Sequence, residues 1–460
     1  MGDTMDPSIF KAYDIRGTYP DQVNEEGAWK IGCAAGRFLP SFLRGFERGQ
    51  ASSHSLCVGR DMRTHSPSIA NSLIEGIRST RTDVIDVGMI DTPQMYFAIN
   101  HLGTCGGIQV TASHNAAKYN GFKISGLQAK PIGADTGLKD IEHIAMALLH
   151  TKGKTTGSLK QCDLTAEYKK HVLKFLKPKP KKMKIAIDAS NGMAGRMVPL
   201  IFDGLPVEII EINFEHTGTF KHEPNPLIEK NLAPVKASVK KNKCDLGFCF
   251  DGDADRLMTV DEKGNTISCD LMTALMAMYF LEQIPKSTIV YDLRSSRIVA
   301  EEIIKHGGTP RRERVGHSFM KKTMRDSRAV FGGELSGHFY YRDNYYADSG
   351  MITLVHMINI VSGADAPLSE LIEPLRKYHN SGEMNFEVED KQAKMEEFAR
   401  RYSDGQVDNL DGVTVGYKDW WFNCRPSNTE PLLRLNIEAK TEELLEEKLA
   451  EITQQLGEPV

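Results

Sequence analysis

The chain has 460 residues, and because domains commonly hold roughly 100–200 residues, three or four domains are expected. Its composition, 40% hydrophobic and 26% charged, is that of a soluble globular protein, and its apolar runs are shorter than the roughly 20 residues of a membrane-spanning helix. The net charge of −4 argues against nucleic acid as a partner, so the basic residues are expected to act locally, most simply on the phosphate of a small molecule.

Strand-like runs alternate with helix-like runs along most of the chain, which is the pattern of α/β units. Amphipathic stretches at residues 66–79 and 137–149 predict two of the intervening helices. Representative predicted strands lie at residues 56–59, 83–88, 107–112, 184–188, 245–250 and 288–293.

A faint repeat runs through these strands. Three of them end in an aspartate, Asp61, Asp188 or Asp292, with a serine or asparagine a few residues later and a helical pattern after that. Three related α/β domains would explain the repeat.

Turn-rich or lysine-rich segments divide the chain into four predicted domains, residues 1–153, 154–260, 261–374 and 375–460. In the last of these a helix, three short strands and a final helix predict a small α+β domain with an antiparallel sheet. The predicted fold class is therefore α/β, with three similar mixed α/β domains followed by a smaller α+β C-terminal domain.

The N-terminus lacks the basic-then-apolar pattern of a secretory signal. The eight cysteines form neither a CxxC pair nor a zinc-binding spacing. Free buried thiols in a reducing compartment are expected, so a cytoplasmic protein is predicted.

The most informative segment is TASHNAAKYNGFKIS, residues 111–125, which follows a predicted strand and is rich in small and polar residues. Ser113 would lie in an exposed turn beside His114, with Lys123 on a second short strand. A serine with a nearby cation suits a covalent phosphoryl intermediate, because the oxygen serves as nucleophile and leaving group while positive charge stabilises the transferring group. An ordinary polar turn is an equally good interpretation of this segment alone.

The second segment is CDLGFCFDGDADRLMTVDEKG, residues 244–264, in which an apolar strand leads to Asp251, Asp253 and Asp255 at alternate positions. Three carboxylates this close repel one another, and all-oxygen ligation suits Mg²⁺. The spacing also fits an EF-hand with Glu262 at position 12, but Arg256 stands at position 6, where that loop needs glycine, and the flanks are strands. An EF-hand is therefore rejected.

Two further segments are weaker alone. In FGGELSGHF, residues 331–339, the glycines allow close approach of a ligand, Glu334 and Ser336 suit sugar hydroxyls, and His338 is a candidate proton carrier. In CRPSNTEPLLRL, residues 424–435, an arginine precedes three donors that suit phosphate oxygens. These four residues are Arg425, Ser427, Asn428 and Thr429.

Two lesser segments also carry candidate residues. FKAYDIRGTYP offers Lys11, Tyr13 and Arg16, and VGHSFMKK offers His317 and Lys321. Ordinary surface charge is the alternative for both.

Together and in this order, the segments resemble the α-D-phosphohexomutase superfamily, in particular its bacterial phosphomannomutase/phosphoglucomutase branch. The likeness extends from KAYDIRG to RPSNTEP and implies four domains around a central cleft. It implies that Ser113 is the phosphoserine and that Ser113, Asp251, Asp253 and Asp255 bind Mg²⁺.

The likeness also implies the roles of the remaining candidates. Around the phosphoryl group it places Arg16, His114, Lys123 and Arg256, with His338 moving protons. The substrate-binding set is Tyr13, Arg294, Gly316, His317, Glu334, Ser336, Arg425, Ser427, Asn428 and Thr429.

The implied reaction moves a phosphoryl group reversibly between the 1- and 6-positions of mannose or glucose phosphate through a hexose 1,6-bisphosphate. Glucose or mannose 1,6-bisphosphate is the implied activator. The expected partners are hexose phosphates, without nucleic acid or membrane, and the expected state is a monomer or weak dimer.

Three positions depart from the pattern of the family. Arg294 stands where lysine is frequent, Val315 where threonine is frequent, and His65 replaces a serine. Because the four signature loops are intact, these departures bear on sugar preference more than on catalysis.

Three alternatives remain open. Phosphoglucosamine mutase is one, although Leu335 stands where that enzyme usually carries glutamine. A sugar-phosphate phosphatase could use the same serine and metal, differing only in admitting water to the phosphoenzyme. A non-catalytic sugar-phosphate sensor is the third, and the full set of nucleophile, metal ligands and proton carrier argues against it.

Overall fold

The computed structural model describes residues 5–43, 54–149, 156–427 and 432–460. The chain forms two compact units, Met1–Ile267 with Ser336–Ser369, and Ser268–Leu335 with Glu370–Val460. The three domain boundaries drawn from the sequence stay predictions, and the first of them, at residue 153, lies outside the described residues.

The first sheet of the first unit has six strands in the order β1-β5-β4-β2-β3-β6. Strands β2, β3, β4 and β6 are parallel, whereas β5 is antiparallel to both β4 and β1. Helices pack on this sheet through a buried hydrophobic core that includes Leu56, Val58, Leu73, Ile108 and Phe122. The strands are β1 Ile15–Thr18, β2 Ser55–Arg60, β3 Asp83–Met89, β4 Gly106–Val110, β5 Tyr119–Gly126 and β6 Leu159–Gln161, and the helices are α1 Glu25–Phe38, α2 Ser66–Arg78, α3 Thr92–His101 and α4 Leu138–Met146.

The second sheet of the same unit has five strands in the order β11-β10-β9-β7-β8. Strand β7 is parallel to β8 and β9, and β9 forms an antiparallel hairpin with β10. All five residues of β9 are buried, as expected for a strand covered on both faces. The strands are β7 Met183–Asp188, β8 Val207–Ile212, β9 Leu246–Phe250, β10 Leu257–Val260 and β11 Thr266–Ile267, and the helices are α5 Thr165–Leu173, α6 Ala194–Phe202 and α7 Ala233–Asn242.

The second unit contains a parallel set in which β12 pairs with both β13 and β14. Three helices accompany these strands, and the alternation of strand and helix repeats the α/β pattern of the first two sheets. The strands are β12 Thr288–Asp292, β13 Thr309–Glu313 and β14 Phe331–Gly333, and the helices are α8 Cys269–Gln283, α9 Arg297–Lys305 and α10 His317–Ser327.

Between these strands and the C-terminal sheet the chain returns to the first unit, where two short antiparallel strands precede a buried apolar helix. A short helix follows in the sequence. These elements are β15 Phe339–Tyr341, β16 Ala347–Asp348, α11 Gly350–Gly363 and α12 Leu368–Ile372.

The C-terminal sheet is antiparallel throughout, in the order β17-β22-β21-β20-β19, with β18 also on β22. Its core is aromatic, with Phe398 and Tyr402 packed edge-on against Phe422. The elements are β17 His379–Asn380, β18 Met384–Glu387, α13 Lys391–Arg401, β19 Gln406–Asp408, β20 Val413–Gly416, β21 Trp420–Pro426, β22 Leu432–Ala439 and α14 Glu442–Leu456.

The predicted fold class, three α/β domains followed by an α+β domain, is confirmed. The repeated aspartate also has a structural counterpart, because Asp61, Asp188 and Asp292 each accept a hydrogen bond from the backbone N–H two residues later, at 2.8–3.0 Å. The side chain thus forms the same local turn at the end of β2, β7 and β12 before the next helix begins.

Two further expectations concern cysteines and membranes. All eight cysteines are free, and seven of them are buried. Within the described ranges no single helix is long and apolar enough to span a membrane, although Gly350–Gly363 and Leu368–Leu375 together reach that length and apolarity as a bent pair.

The buried histidine His171 gives a prediction about the acid sensitivity of the first unit. His171 donates through Nε2 to Asn344 Oδ1 at 2.8 Å and accepts from Lys174 Nζ at 3.3 Å. Burial lowers the pKa of His171 to about 4. Because an unfolded histidine has a pKa of about 6.5, the stability that neutral His171 contributes is complete above that pH and is lost as the pH falls toward 4.

We therefore expect the urea midpoint of the wild type to be lower at pH 5 than at pH 7. This decrease should be smaller in a His171→Gln variant. His54→Asn, at an exposed position, is the matched control and should keep the wild-type slope. Urea titrations at pH 7, 6 and 5 provide the midpoints. Parallel slopes in all three proteins would show that His171 is not an acid-sensitive group.

Candidate active site

Ser113 lies in the loop between β4 and β5, with 2% of its surface exposed. Its backbone is left-handed, with φ of 47°. The N–H of Ser113 donates to Thr111 Oγ1 at 3.0 Å, and its hydroxyl donates to Asp251 Oδ2 at 2.8 Å. The prediction of an exposed turn is therefore wrong for the serine itself, because the acidic loop of the second sheet covers it.

The acidic loop joins β9 to β10. Asp251, Asp253 and Asp255 are at most 2% exposed, and their ligand-type oxygens lie within 4.8 Å of one another. A Cβ atom added to Gly252 would lie 2.4 Å from Ser113 O, so only glycine lets the acidic loop approach the serine loop this closely.

Lys123 on β5 partly balances the three carboxylates. Its Nζ lies 2.7 Å from Asp253 Oδ2 and 2.5 Å from Asp255 Oδ2. Although burial acts to lower the pKa of Lys123, the two aspartates raise it, so the lysine is charged. Burial and the neighbouring carboxylates raise the pKa of Asp251 well above its usual value. Burial also acts to raise the pKa of Asp255. The neighbouring Lys123 and His338 nevertheless lower the pKa of this carboxyl well below its usual value.

The cluster has the properties of a cation site. Lys123 and Arg256, whose Nε lies 4.0 Å from Asp251 Oδ2, supply two positive charges against three carboxylates, and no described donor reaches the buried Asp253 Oδ1. A buried carboxylate oxygen without a donor is costly unless a cation or water fills the position. The residues present therefore fit a bound divalent cation.

Basic and imidazole groups surround the serine on its other sides. His114 Nδ1 lies 3.3 Å from Ser113 Oγ. Burial and the charges of Arg256 and Arg16 lower the pKa of His114 well below its usual value, so its ring is neutral. Arg16 Nη1 donates to Asn115 Oδ1 at 2.5 Å, and the Arg256 N–H donates to Asp251 Oδ1 at 3.2 Å.

His338 joins this group from the segment before β15. Its Nδ1 lies 2.9 Å from Ser336 Oγ, and its Nε2 lies 3.4 Å from Asp255 Oδ1 and 3.9 Å from Asp348 Oδ2. Arg256 Nε donates to His338 Nε2 at 3.4 Å. The imidazole is thus held between a hydroxyl and two carboxylates, and the metal-type atoms of Asp255, His338 and Asp348 form a second close group.

The remaining candidates of the first unit lie before β1, where Lys11 is exposed and Tyr13 is half-buried in a bend. The first unit therefore brings together the serine, the three aspartates and their basic neighbours. Its candidate residues are Lys11, Tyr13, Arg16, Ser113, His114, Lys123, Asp251, Asp253, Asp255, Arg256, Ser336 and His338.

In the second unit, two of the candidate arginines meet at one carboxylate. Glu383 Oε2 accepts from Arg425 Nη2 at 2.7 Å and lies 3.3 Å from Arg294 Nη1, while its Oε1 accepts from Arg434 Nη1 at 3.0 Å. Burial alone would raise the pKa of Glu383, but the three arginines lower it to about 2. Because Arg294 also pairs with Asp292 at 2.7 Å, three guanidinium groups face two carboxylates, and one positive charge is left in excess within this group.

The other candidates of the second unit lie at turns. Glu334 is 1% exposed and its Oε1 accepts the Gly316 N–H at 3.0 Å. Gly316 has φ of 135°, a conformation that favours glycine, and His317 begins α10 immediately after it. Ser427 N–H donates to Leu432 O at 2.8 Å. Asn428 and Thr429 lie outside the described residues.

Several residues of these clusters were not predicted from the sequence. Thr92 Oγ1 donates to Asp253 Oδ2 at 2.5 Å, and Asn115, Asp348 and Glu383 contact candidate residues as described above. Asn115 and Glu383 stand next to polar or glycine-rich turns, which is a weak signal. Thr92 begins a helix and Asp348 ends a two-residue strand. Threonine and aspartate are ordinary residues at such positions, so the sequence gives no signal of a functional role.

Four sequence families match the chain in succession. They are described as phosphoglucomutase/phosphomannomutase, alpha/beta/alpha domains I, II and III and C-terminal domain, and they match residues 7–150, 166–264, 268–378 and 383–455 respectively.

Curated and solved relatives are similar over nearly the whole chain. A phosphomannomutase of Vibrio cholerae is 37% identical over 97% of this chain and 97% of its own length. A phosphomannomutase of Methanocaldococcus jannaschii is 38% identical over 98% of this chain and 97% of its own. The crystal structure of a phosphoglucomutase/phosphomannomutase family protein from Burkholderia thailandensis superposes with a TM-score of 0.88 at 32% identity, covering 98% and 97% of the two chains.

The arginine group around Glu383 gives a prediction about anions. In a Glu383→Gln variant the charge of nearly buried Arg425 is uncompensated, so we expect a loss of roughly 1–3 kcal/mol in the free energy of unfolding. Inorganic sulfate should stabilise this variant more than the wild type, because it supplies the missing negative charge.

Urea unfolding with and without sulfate, against sodium chloride of equal ionic strength, measures both effects. Glu373→Gln is the control, since Glu373 is 78% exposed and pairs loosely with Arg376 at 3.9 Å. Equal stabilisation of the variant and the wild type by sulfate would contradict the expectation.

Proposed function

The chain belongs to the phosphoglucomutase/phosphomannomutase family, and on that premise we propose that it moves a phosphoryl group reversibly between the 1- and 6-positions of a hexose phosphate, with Ser113 as the carrier. One observation carries the proposal. The Ser113 hydroxyl donates to Asp251 at 2.8 Å, in a group that also contains Lys123, Arg256 and neutral His114.

The reaction proceeds in two balanced halves. In the first, a free hydroxyl of the sugar attacks the phosphoryl group on Ser113, so that the P–Oγ bond breaks and a new P–O bond forms on the sugar. The hydroxyl proton passes to His338, and Ser113 Oγ leaves with the electron pair of the P–Oγ bond. The resulting 1,6-bisphosphate then turns over without leaving. In the second half its other phosphoryl group returns to Ser113 by the reverse of these steps, and His338 returns the proton to the sugar oxygen. The charge that develops on Oγ is stabilised by nearby positive groups, of which Lys123 is one.

Asp251, Asp253 and Asp255 would hold Mg²⁺, together with an oxygen of Ser113 or of its phosphoryl group. The all-oxygen donor set and the uncontacted Asp253 Oδ1 support this assignment. When bound, Mg²⁺ neutralises charge on the phosphoryl oxygens. The protein's own residues hold the serine loop against the acidic loop and exclude water from Ser113, which is 2% exposed.

Recognition of the sugar phosphate is assigned to the remaining candidates. Glu334 and Ser336 would bind sugar hydroxyls, and Tyr13, Gly316 and His317 would contribute to the same recognition. The non-reacting phosphate would be gripped by Arg425, Ser427, Asn428 and Thr429, with Arg294 adding positive charge. The excess of positive charge around Glu383 supports an anion site there.

The proposed sugars are glucose and mannose, with glucose or mannose 1,6-bisphosphate as activator and intermediate. The names of the curated relatives, phosphomannomutase and phosphohexose mutases, support these sugars. Leu335, in place of the usual glutamine of phosphoglucosamine mutase, also favours them over the amino sugar.

The first test supplies purified protein and Mg²⁺ with glucose 1-phosphate or mannose 1-phosphate and a trace of glucose 1,6-bisphosphate. We expect the 6-phosphate to form and Ser113→Ala to abolish its formation, because the variant has no oxygen to carry the phosphoryl group. Coupled assays or phosphorus NMR follow the product. Thr111→Ser, which keeps the hydroxyl that accepts the Ser113 N–H, is the control and should remain active.

The outcomes separate the candidate enzymes. Isomerisation that survives Ser113→Ala would refute the proposed carrier. Isomerisation of glucosamine 1-phosphate alone would support the amino-sugar enzyme, and sustained release of inorganic phosphate without isomerisation would support a phosphatase.

The metal site has a test that does not depend on activity. At about 100 times its dissociation constant, Mg²⁺ should add roughly 2.7 kcal/mol to the free energy of unfolding of the wild type. In Asp253→Asn we expect most of this gain to disappear, because a ligand charge is lost. Asp135→Asn, at an exposed position, is the control and should respond to Mg²⁺ as the wild type does. Full stabilisation of Asp253→Asn by Mg²⁺ would contradict the assignment of this ligand.

A further inference from the structure

The turn at residues 61–66, between β2 and α2, supplies no residue to the proposed chemistry, yet it contains a fully buried arginine. Arg63 is 1% exposed, and each of its guanidinium nitrogens donates hydrogen bonds. The acceptors are Asp61 Oδ2 at 3.1 Å, Ser113 O at 3.0 Å, Asn115 O at 2.6 Å, Ala116 O at 2.8 Å and Tyr119 O at 3.0 Å. Three of these five acceptors are backbone carbonyls of the serine loop, and a fourth is the carbonyl of Tyr119 at the start of β5.

Asp61 fixes the position of this guanidinium. It is also 1% exposed, and its Oδ1 accepts the Arg63 N–H at 3.0 Å and the Ser66 hydroxyl at 2.5 Å. The Phe220 ring lies 5.1 Å from the Arg63 guanidinium carbon. A buried charge persists only when its partners satisfy it, and here the complete set of acceptors holds the side chain in one orientation.

Ser113 needs such support because of its backbone conformation. A serine with φ of 47° is strained, and the surrounding structure must impose this conformation. Both ends of the residue are fixed, since Thr111 Oγ1 accepts its N–H at 3.0 Å and Arg63 Nη2 donates to its carbonyl at 3.0 Å. The same carbonyl lies against Gly252 of the acidic loop.

We propose that Arg63 is a positioning residue for phosphoryl transfer, because it holds the left-handed backbone of Ser113 and thereby aims Oγ at Asp251. The inference rests on the proposed function of Ser113 as the carrier. Arg63 acts through the carbonyl of Ser113 and makes no hydrogen bond to Oγ, so it is not itself a catalytic residue.

The rest of the serine loop has other anchors. His65 Nε2 lies 3.0 Å from Ala117 O, and Asn120 Nδ2 donates to His65 Nδ1 at 2.7 Å and to Ser66 Oγ at 3.0 Å. Arg16 holds Asn115 through its side chain. Loss of the Arg63 guanidinium should therefore misalign Ser113 without releasing the whole loop, and activity should fall more than stability.

The test compares Arg63→Lys with Arg78→Lys in the full-length protein. Arg78 is a matched control, because it also donates to a backbone carbonyl, Gly157 O at 2.9 Å, and pairs with an acid, Glu75 at 2.8 Å. Lysine keeps the charge at both positions but cannot reach several carbonyls at once.

We expect Arg63→Lys to lower kcat for glucose 1-phosphate about 100-fold, since a misplacement of the reacting group by about 1 Å has an effect of that size. The KM should stay within about threefold of the wild type, because substrate binding uses other residues. Arg78→Lys should keep both constants within about twofold. Thermal unfolding of both variants separates a loss of alignment from a loss of fold.

Each outcome has a distinct meaning. A wild type that neither isomerises hexose phosphates nor carries phosphate on Ser113 refutes the proposed function and removes the basis of the inference. An active wild type together with an Arg63→Lys kcat equal to that of Arg78→Lys overturns the positioning role and leaves the function intact. If Arg63→Lys does not fold, Asp61→Asn takes its place, because it removes the charge that orients Arg63 and keeps the side-chain volume. A normal kcat for that variant would equally overturn the proposal.

Discussion

The crowding of three buried carboxylates is the constraint on which the candidate active site depends. Asp251, Asp253 and Asp255 have ligand-type oxygens within 4.8 Å of one another, and burial makes their repulsion costly. Lys123 offsets part of that repulsion, a divalent cation would offset more of it, and the Ser113 hydroxyl donates into the same group. In the proposed function, the same electrostatic repulsion that would destabilise an ordinary core is what favours binding of a cation beside the serine.

One type of local turn, closed by an aspartate side chain, occurs at the ends of three strands. At the ends of β2, β7 and β12, an aspartate accepts the N–H two residues later, and in two cases that later residue is an arginine. Arg63, in the first unit, donates to the carbonyl of Ser113 in the serine loop. Arg294, in the second unit, lies beside Glu383. In the second sheet the equivalent residue is Ser190, whose hydroxyl donates to Phe250 O, directly before the acidic loop. The same aspartate hydrogen bond therefore helps to position two arginines and one serine.

Much of the fold could be predicted from the sequence, because apolar periodicity is a local property of the chain. The strands before Ser113 and Asp251 and the antiparallel C-terminal sheet are where the sequence pattern indicated. The candidate residues followed from motifs, but the exposure of Ser113 was predicted wrongly. Its turn looks solvent-facing in isolation, and the loop that covers it comes from 138 residues further along the chain. Thr92 and Asp348 were missed for the same reason, since each resembles an ordinary helix start or strand end.

The sequence by itself determined which chemical groups the protein can use: a serine in a polar loop, three alternating aspartates, a glycine-flanked histidine and arginine-bearing turns. These are properties of residue type and spacing, which need no folded chain. Only the tertiary structure decided which of these groups meet. It places Lys123 between two aspartates, directs the Arg63 guanidinium to the carbonyl of Ser113, and brings three arginines to Glu383. Such contacts join residues distant in sequence, and the packing of whole strands and helices sets their distances to within an ångström. A local sequence pattern does not specify that packing.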